Sequence, residues 1–590
     1  MIFGRHINKY YLKHLPVLVL GILALLLVDF FQLKIPELYN LVISGLEHGS
    51  VDIGNVAYPF DMTFLIEKIC LPMLGITAAL IAGRFLWRIC FFGSAIKVET
   101  DMRRDMFDHS KNLSHQYYQK NKVGNMMSLY TNDLETINEC FGDGVLMFFD
   151  ALLLGTLAVG KMWNMSWKLT LLSLIPTVLL FAVGTIVGKY MMDKWEARQA
   201  AFSSLSDFTQ ENFSGIAVVK AFVKEFRELW AFRKLNKDNE KANIEFTRAS
   251  VLLHIMVTLF VESVICIILG YGGYLVYIGS FDAGDLAEFI GYFTSIVWPV
   301  MAVSQLIDMS SRGKASLKRI SELLEAPIDV CDREGVADID TIRGDIEFKG
   351  LTFRYPDADY DALENVSFKI NAGENVGIIG KTGAGKTTIV DLILRTFNVP
   401  QGTVFIDGYD VNDIPIRTVR KFSAYVPQDN FLFSDTIARN IAFASDEVVE
   451  EDVIRAAKLA DVHDNISEFK DGYSTVLGER GVTVSGGQKQ RISIARALLK
   501  DASILILDDS VSAVDTATEE VIINNLRENR CGKTTILIAH RISTVEKMDK
   551  IIFIDDAKVI AVGTHNELVA TCPAYNTMVE LQRLEEERAV

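Results

Sequence analysis

Six apolar runs in the first half of this chain approach the length needed to cross a lipid bilayer, about 20 residues of α-helix. They lie at 15–33, 69–92, 145–162, 169–187, 251–278 and 289–306. Only residues 163–168 separate the third run from the fourth, so we expect a tight helical hairpin there. Because a bilayer offers no partner for exposed backbone N–H and C=O groups, runs of this length fold as helices. The sequence therefore predicts an α-helical membrane domain with six spans.

Loop charges predict the orientation of these spans. Basic residues collect at the N-terminus and in segments 93–144 and 188–250, whereas the loops at 47–61 and 282–288 are acidic. Lys and Arg concentrate on the cytosolic side of membrane proteins. We therefore expect a multi-pass protein of the cytoplasmic membrane with both termini in the cytosol, and helical extensions of the spans through the two long basic segments.

Composition argues against two classes of partner. The formal net charge of −16 disfavours nucleic acid, because binding a phosphate backbone requires a basic surface. The seven cysteines are scattered without the spacing of metal ligands, which favours free thiols in a reducing compartment.

A second type of domain follows the apolar half. After Leu324 a charged stretch runs from Pro327 to about Gly344, and short β-rich runs then alternate with helical ones, as in an α/β domain. We predict a membrane domain at 1–325, a linker at 326–344 and an α/β domain at 345–590.

The α/β segment contains a phosphate-binding pattern. Residues 380–387 have the sequence GKTGAGKT, follow a strand-like run at 374–379 and precede a helical run at 388–394. In this pattern the glycines let backbone N–H groups close on phosphates, and the helix N-terminus favours negative charge. Lys386 would neutralise β- and γ-phosphate charge, and Thr387 would bind Mg²⁺.

Two further segments fit a nucleotide site. The apolar run 503–507 ends in Asp508, as expected of a buried strand that delivers a Mg²⁺-binding carboxylate. Upstream, residues 485–488 (SGGQ) precede a helical segment and would open it with an anion site made of N–H groups. Alone, that tetrapeptide is equally an ordinary helix cap; the P-loop before it and the strand after it favour nucleotide binding.

These motifs occur in one order, and over nearly its whole length the chain resembles an ATP-binding-cassette (ABC) exporter half-transporter. The resemblance implies ATP and Mg²⁺ as cofactors, ATP hydrolysis that drives transport, and a second half-transporter as partner, with each ATP between one P-loop and the other chain's signature. The residues implied are Tyr355 against adenine; Gly380, Thr382, Gly383, Gly385, Lys386, Thr387 and Thr388 in the P-loop; Gln428 in the Q-loop; 478–481 ahead of the signature; Ser485, Gly486, Gly487 and Gln488 in the signature; Asp508 after the Walker B strand; Asp515 in the D-loop; and His540 as the switch histidine.

The resemblance assigns Thr387, Gln428 and Asp508 to Mg²⁺, and Gln428, His540 and the residue at 509 to catalysis. Other interpretations stay open, since Tyr355 could be a surface aromatic, Gln428 a loop amide and His540 a core histidine.

Asp509 departs from the family's pattern, which usually has glutamate there to polarise the attacking water. Aspartate is one methylene shorter, and a misplacement of about 1 Å can cost on the order of 10²-fold in rate. We therefore expect weak hydrolysis at this chain's own site. The chain resembles the degenerate-site subunit of bacterial heterodimeric multidrug exporters, although the intact His540 keeps a homodimer open.

Ionisable residues within apolar spans are costly and usually face protein or water-filled cavities. Asp29, Asp150 and Glu262, together with Trp298 of the sixth span, are the candidates for a substrate pathway through the lipid-embedded domain. Helix pairing, for example with Arg84 or Arg88, is the alternative. The expected cargo is a hydrophobic or amphipathic small molecule, with a peptide, lipid or siderophore as the alternative.

Overall fold

The computed structural model describes most of the chain as two compact units. The described residues are 4–53, 56–337, 339–445, 447, 449–478, 481, 484–512 and 514–589, except for the side chains of 177, 178, 180–186, 304 and 585–589. One unit comprises 1–110 and 124–325, and the other comprises 111–123 and 326–590.

The N-terminal unit is helical except for a small hairpin of β1 (Ser50–Ile53) and β2 (Val56–Pro59). Three π-helical turns, Leu65–Cys70, Leu129–Asp133 and Ile268–Gly272, interrupt its helices. The helices, with the short α5 that belongs to the other unit, are α1 (Arg5–Gln32), α2 (Lys34–His48), α3 (Met62–Phe64), α4 (Leu71–Ser110), α5 (His115–Lys120), α6 (Val123–Ser128), α7 (Leu134–Met165), α8 (Trp167–Ser214), α9 (Ile216–Ala221), α10 (Glu225–Ile267), α11 (Gly273–Tyr277) and α12 (Ala283–Leu324).

Five helical stretches among the described residues are long and apolar enough to cross a membrane. They run over Arg5–His48, Met62–Ser110, Val123–Met165, Glu225–Tyr277 and Ala283–Leu324. The fourth predicted run, 169–187, lies in α8, but much of it (177, 178 and 180–186) falls outside the described side chains. At the predicted hairpin, only Ser166 separates α7 from α8, and its hydroxyl accepts the backbone N–H of Leu169.

Glycines allow α1 and α4 to pack closely. A Cβ at Gly21 would lie 2.9 Å from the Cβ of Cys90, and a Cβ at Gly83 would lie 2.5 Å from Val28 Cγ2. Lipid tails are as apolar as leucine side chains, so membrane helices associate by close packing of small residues rather than by exclusion of water. This packing brings together the helices that carry Asp29 and Arg84.

The C-terminal unit is an α/β domain with two sheets. The strand orders are β12-β11-β5-β10-β9-β8 in the larger sheet and β4-β3-β6-β7 in the smaller. The strands are β3 (Ile346–Phe353), β4 (Leu363–Ile370), β5 (Asn375–Gly380), β6 (Val404–Ile406), β7 (Tyr409–Asp410), β8 (Ser423–Val426), β9 (Ile504–Asp508), β10 (Thr534–Ala539), β11 (Lys550–Asp555) and β12 (Lys558–Gly563). The helices are α13 (Lys386–Ile393), α14 (Ile416–Lys421), α15 (Ile437–Ile441), α16 (Glu450–Leu459), α17 (His463–Ser467), α18 (Gly486–Leu499), α19 (Thr516–Asn529), α20 (Ile542–Val545), α21 (His565–Thr571) and α22 (Pro573–Ala589).

The larger sheet is covered on both faces. Every residue of β9 and β10 is buried, which is typical of parallel strands between two layers. Side chains alternate between the faces, because Leu505 and Leu507 join one hydrophobic core while Ile504 and Ile506 join the other. Only the antiparallel edge strand β12 alternates between exposed and half-buried residues.

Residues of the predicted linker 326–344 pack onto the C-terminal unit through Arg395. This side chain is 1% exposed, and its guanidinium donates to the carbonyl oxygen of Cys331 at 3.2 Å and to Asp332 Oδ1 at 3.4 Å. Asp332 Oδ1 also accepts the backbone N–H of Ile416 at 2.8 Å. A buried guanidinium that is paired in this way fixes the start of the unit.

We expect Arg395→Met to release this segment, because methionine fills similar space but donates no hydrogen bond. The C-terminal unit should lose about 2 kcal/mol of unfolding free energy. Hydrogen exchange at 329–337 should become faster, as measured by mass spectrometry. Arg343→Met, in the same segment but exposed, is the matched control. Unchanged exchange in Arg395→Met would contradict the anchoring role.

Candidate nucleotide-binding site

Three neighbouring parallel strands bring the predicted motifs to one edge of the larger sheet. β5 ends at Gly380, β9 ends at Asp508 and β10 ends at Ala539, just before His540. The carboxyl ends of parallel strands are where open α/β sheets bind ligands.

Glycines shape the loop between β5 and α13. A Cβ at Gly380 would lie 2.0 Å from the carbonyl oxygen of Ile554. Gly385, at φ +98°, precedes α13, and a Cβ there would lie 2.6 Å from the carbonyl oxygen of Ala362. Gly383 also has a positive φ, +83°, but faces open space, and the neighbouring Thr382 is exposed. The loop therefore needs glycine for space at two positions and for conformation at two.

Lys386 is buried at the start of α13 and is held by the loop itself. Its Nζ donates to the carbonyl oxygens of Gly380 at 2.8 Å and Lys381 at 2.9 Å. Burial lowers the pKa of this ammonium, while Asp509 and Asp508 act in the opposite direction. The charge thus lies beside two carboxylates and the rim of the loop, where a phosphate would neutralise it.

Asp508 is 2% exposed at the end of β9. Burial raises the pKa of this carboxyl and neighbouring Asp509 adds to the rise, while the Thr387 hydroxyl and Lys386 oppose it. The Tyr425 hydroxyl, which the sequence analysis did not identify, donates to Asp508 Oδ2 at 3.5 Å. Asp508 and Thr387 therefore form the pair expected to bind a cation.

Asp509 is half-buried beside the same pair and has a left-handed backbone with φ +46°. Gln428 Nε2 donates to its Oδ2 at 3.4 Å, which joins the predicted Q-loop amide to the predicted catalytic carboxylate. Gln490, in α18, donates to the carbonyl oxygen of Asp509 at 3.2 Å. Aspartate adopts this conformation more readily than most residues with a Cβ.

His540 follows β10 and is half-buried. The side-chain amide of Gln582, in α22, spans this turn: its Nε2 donates to the carbonyl oxygen of His540 at 2.6 Å, and its Oε1 accepts the N–H of Ile542 at 2.7 Å. These two backbone groups belong to His540 itself and to the residue two positions after it. Gln582 therefore holds the turn that presents the predicted switch histidine, a role that no local sequence signal indicates.

The signature residues cap their own helix. Ser485 Oγ accepts the N–H of Gln488 at 3.3 Å, and Gln488 Oε1 accepts the N–H of Ser485 at 3.0 Å. Gly486 and Gly487 form the first turn of α18. Among the hydrogen bonds of the described residues, none joins this cap to the P-loop. Of the other predicted loops, Glu479, Arg480 and Ala513 lie outside the described residues, and Asp515 caps α19 by accepting the N–H of Thr518 at 3.0 Å.

Tyr355 lies next to the P-loop helix and is half-buried. Its hydroxyl is 2.9 Å from Thr388 Oγ1, and its ring packs edge-on against Phe353 and Phe397. Nearby on α13, burial raises the pKa of Asp391 to about 6, and a hydrogen bond from Tyr355 opposes this rise. The structure thus places Tyr355 beside the loop, within an aromatic cluster.

In the membrane unit the structure brings together three of the four predicted pathway residues. The carboxyl groups of Asp29 and Asp150 lie side by side in the lining of one cavity, and the indole N–H of Trp298 donates to Asp150 Oδ2 at 2.7 Å. All three line a cavity of about 340 Å³, which Glu262 does not line. Glu262 lies exposed on α10.

Comparisons with known proteins agree with this architecture. The profile of the ABC transporter transmembrane region matches residues 18–300, and that of the ABC transporter ATPase matches 363–512. The chain is 34% identical to the probable multidrug resistance ABC transporter ATP-binding/permease protein YheI of Bacillus subtilis, over 98% of this chain and 97% of the relative. It is also 34% identical to the multidrug resistance-like ATP-binding protein MdlA of Escherichia coli, covering 96% and 94% of the two chains.

The fold resembles that of a bacterial Atm1-family ABC exporter with ATP bound, with a TM-score of 0.77 and 24% identity over 98% of each chain. The predicted fold class, a helical transmembrane domain followed by an ABC ATPase domain, is confirmed. Full-length matches of this kind, together with the P-loop geometry above, establish that this multi-pass membrane protein belongs to the ABC exporters and is a homologue of bacterial multidrug exporters.

Proposed function

We propose that this chain is one half of a heterodimeric exporter that uses ATP to move hydrophobic or amphipathic small molecules across the cytoplasmic membrane, with both termini in the cytosol. Its own ATP site hydrolyses weakly, and the competent site uses a partner's glutamate. The two multidrug resistance relatives support multidrug cargo. The geometry of Asp509 supports weak hydrolysis at this chain's own site.

ATP and Mg²⁺ fit the residues present. Among the described residues, no three His, Cys, Asp or Glu side chains are grouped to hold a metal ion. Mg²⁺, however, usually binds one or two protein oxygens and completes its shell with phosphate and water. Asp508 and Thr387 supply such a pair, with Gln428 as a third candidate, and the metal would neutralise phosphate charge there. Lys386 and the loop N–H groups of 380–388 would hold the phosphates.

Asp509 carries the argument for weak hydrolysis. Its carboxylate is already engaged by Gln428 within the site, so it lies in the correct place on the chain. One methylene is missing relative to glutamate, which leaves the carboxylate about 1 Å short of the attacking water. The adjacent His540 can still contact the γ-phosphate, so hydrolysis is reduced rather than abolished.

The self-capped signature supports a partner chain. Ser485 makes no described hydrogen bond to this chain's P-loop. The cap already uses the N–H groups of Ser485 and Gln488, which leaves those of Gly486 and Gly487 at the start of α18 to bind an anion. We infer that they bind the ATP held by the P-loop of a second half-transporter, which carries the glutamate.

A large apolar cavity supports a hydrophobic cargo. It has a volume of about 830 Å³ and lies in the N-terminal unit. Its lining includes Phe148, Leu152, Val159, Trp163 and Val300. This volume lies in the range of about 300–1,000 Å³ typical of small-molecule sites.

We expect the purified chain in lipid nanodiscs to hydrolyse ATP slowly and Asp509→Glu to hydrolyse it faster, by up to about 10²-fold, because the carboxylate regains its reach. Asp509→Asn, which keeps the shorter length without the charge, should remain slow, and Lys386→Ala should be inactive. Phosphate release is the measurement. Glutamate must also adopt the left-handed backbone, which costs about 1 kcal/mol of stability, so thermal unfolding is recorded in parallel.

A fast wild type that Asp509→Asn inactivates would show that the aspartate is a working base. The heterodimer would then lose its main support, and a homodimeric exporter would be the better conclusion.

We expect Gln582→Leu to loosen the turn at His540, because both hydrogen bonds of the amide are lost. Hydrogen exchange at 540–545 should become faster while exchange in α13 is unchanged. In an Asp509→Glu background, kcat should fall about 3- to 10-fold with little change in KM. Gln582→Glu keeps the acceptor for the Ile542 N–H, so its exchange rate and kcat should lie between those of Gln582→Leu and those of the chain with Gln582 intact. Equal exchange in all variants would rule out this positioning role.

A further inference from the structure

Two carboxyl groups and two indole rings share a cavity in the N-terminal unit. Asp29 comes from α1, Asp150 from α7 and Trp298 from α12, and Trp87 of α4 joins them in the lining of about 340 Å³. Asp150 accepts the indole N–H of Trp298, as described above. Four helices therefore converge on one acidic and aromatic site.

Asp29 is the unusual member of this group. It is 1% exposed, and no donor in the described part of the chain reaches its Oδ2. A buried polar atom without a partner is destabilising, and ionisable residues at membrane depth mark ion or substrate sites. Its contact with Asp150 adds a second constraint, because two carboxylates in contact cannot both be ionised. We therefore expect the pair to share one proton.

Two arginines near this pair make their contacts with other groups. Arg84 donates to Gln32 Oε1 at 3.3 Å, and Arg88 lies 5.4 Å from the ring centre of Trp87. Among the described residues, neither guanidinium forms an ion pair with Asp29 or Asp150. Asp143 lines the adjoining cavity with Arg88 and Asp150. These arginines therefore leave the oxygens of Asp29 and Asp150 without an ion-pair partner among the described residues.

We propose that Asp29 and Asp150 bind the charged group of an aromatic organic cation in exchange for the proton that they share. The proton leaves to water as the monovalent cation enters, so the total charge of the site is unchanged. The indole ring of Trp298 lines the same cavity and would add a cation–π contact there, whereas the ring of Trp87 already lies beneath Arg88. This assignment rests on the proposed export function and specifies that the cargo is an organic cation.

The test uses tetraphenylphosphonium, whose charge is permanent, so any proton released on binding comes from the protein. The full chain in nanodiscs is titrated by calorimetry in two buffers with different ionisation enthalpies, with empty nanodiscs subtracted. We expect about one proton released per bound probe near neutral pH. Because a proton competes with the cation, affinity should rise with pH, by at most about tenfold per pH unit. Binding without proton release, or no binding of the probe, would overturn the proposal.

Asp29→Asn and Asp150→Asn should each abolish proton release and weaken binding by about tenfold or more. Asp308→Asn is the matched control, since Asp308 lies on α12 outside this cavity and pairs with Arg312 at 3.0 Å. Proton release that survives in both cavity variants, or is lost in the control, would contradict the assignment. Size-exclusion elution and thermal unfolding show whether each variant is folded. If one cavity variant misfolds, the other variant and the pH dependence of the wild type test the assignment.

Phosphate release on the same preparations separates the two proposals. If the probe binds with proton release but Asp509→Glu does not hydrolyse ATP faster, the cation–proton exchange stands and the proposal of weak hydrolysis at this chain's own site is refuted. The expected rise without proton release would refute only the exchange.

Discussion

The parallel pairing of β5, β10 and β9 is the constraint on which the nucleotide site depends. Its register sets Ala539 opposite Ile379 and Ile538 opposite Asp508. A slip by one residue would exchange the faces of a strand and turn its apolar side chains out of their core. The two hydrophobic cores therefore fix the register, and the register fixes where the phosphate loop, the acidic pair and the histidine turn meet. The arrangement of the site residues therefore depends on apolar side chains that are buried away from the ligand.

Local motifs made much of this site predictable. A glycine just before α13, a lysine at its first position and an aspartate at the end of a buried strand each form part of a pattern only a few residues long. Tyr425, Gln490 and Gln582 could not be found in the same way. Each reaches the site from an element distant in sequence, and a phenol or an amide has no spacing of its own that marks such a contact.

The membrane unit shows a similar limit. Asp29, Asp150 and Glu262 were equally conspicuous in the sequence, because each places a charge in an apolar run. Hydropathy identifies a costly residue but not its neighbour, since neighbours are set by how whole helices pack. Close contact of α1 with α4 at Gly21 and Gly83, together with the bond from Trp298 to Asp150, assembles two of these acids. The third lies on α10, away from that cavity.

The hydrogen bonds that satisfy Lys386 and Ser485 within their own segments have a consequence for selectivity. Two carbonyl oxygens hold the ammonium, and a reciprocal cap holds the serine. An incoming anion gains the full interaction with these groups only by replacing some of these bonds. A small ion such as inorganic phosphate can engage only part of the loop at once, so the exchange returns little net free energy. A triphosphate contacts several donors at once, so the bonds that it forms together offset the loss of the resting hydrogen bonds. The resting bonds therefore act as a threshold that favours a triphosphate over free phosphate.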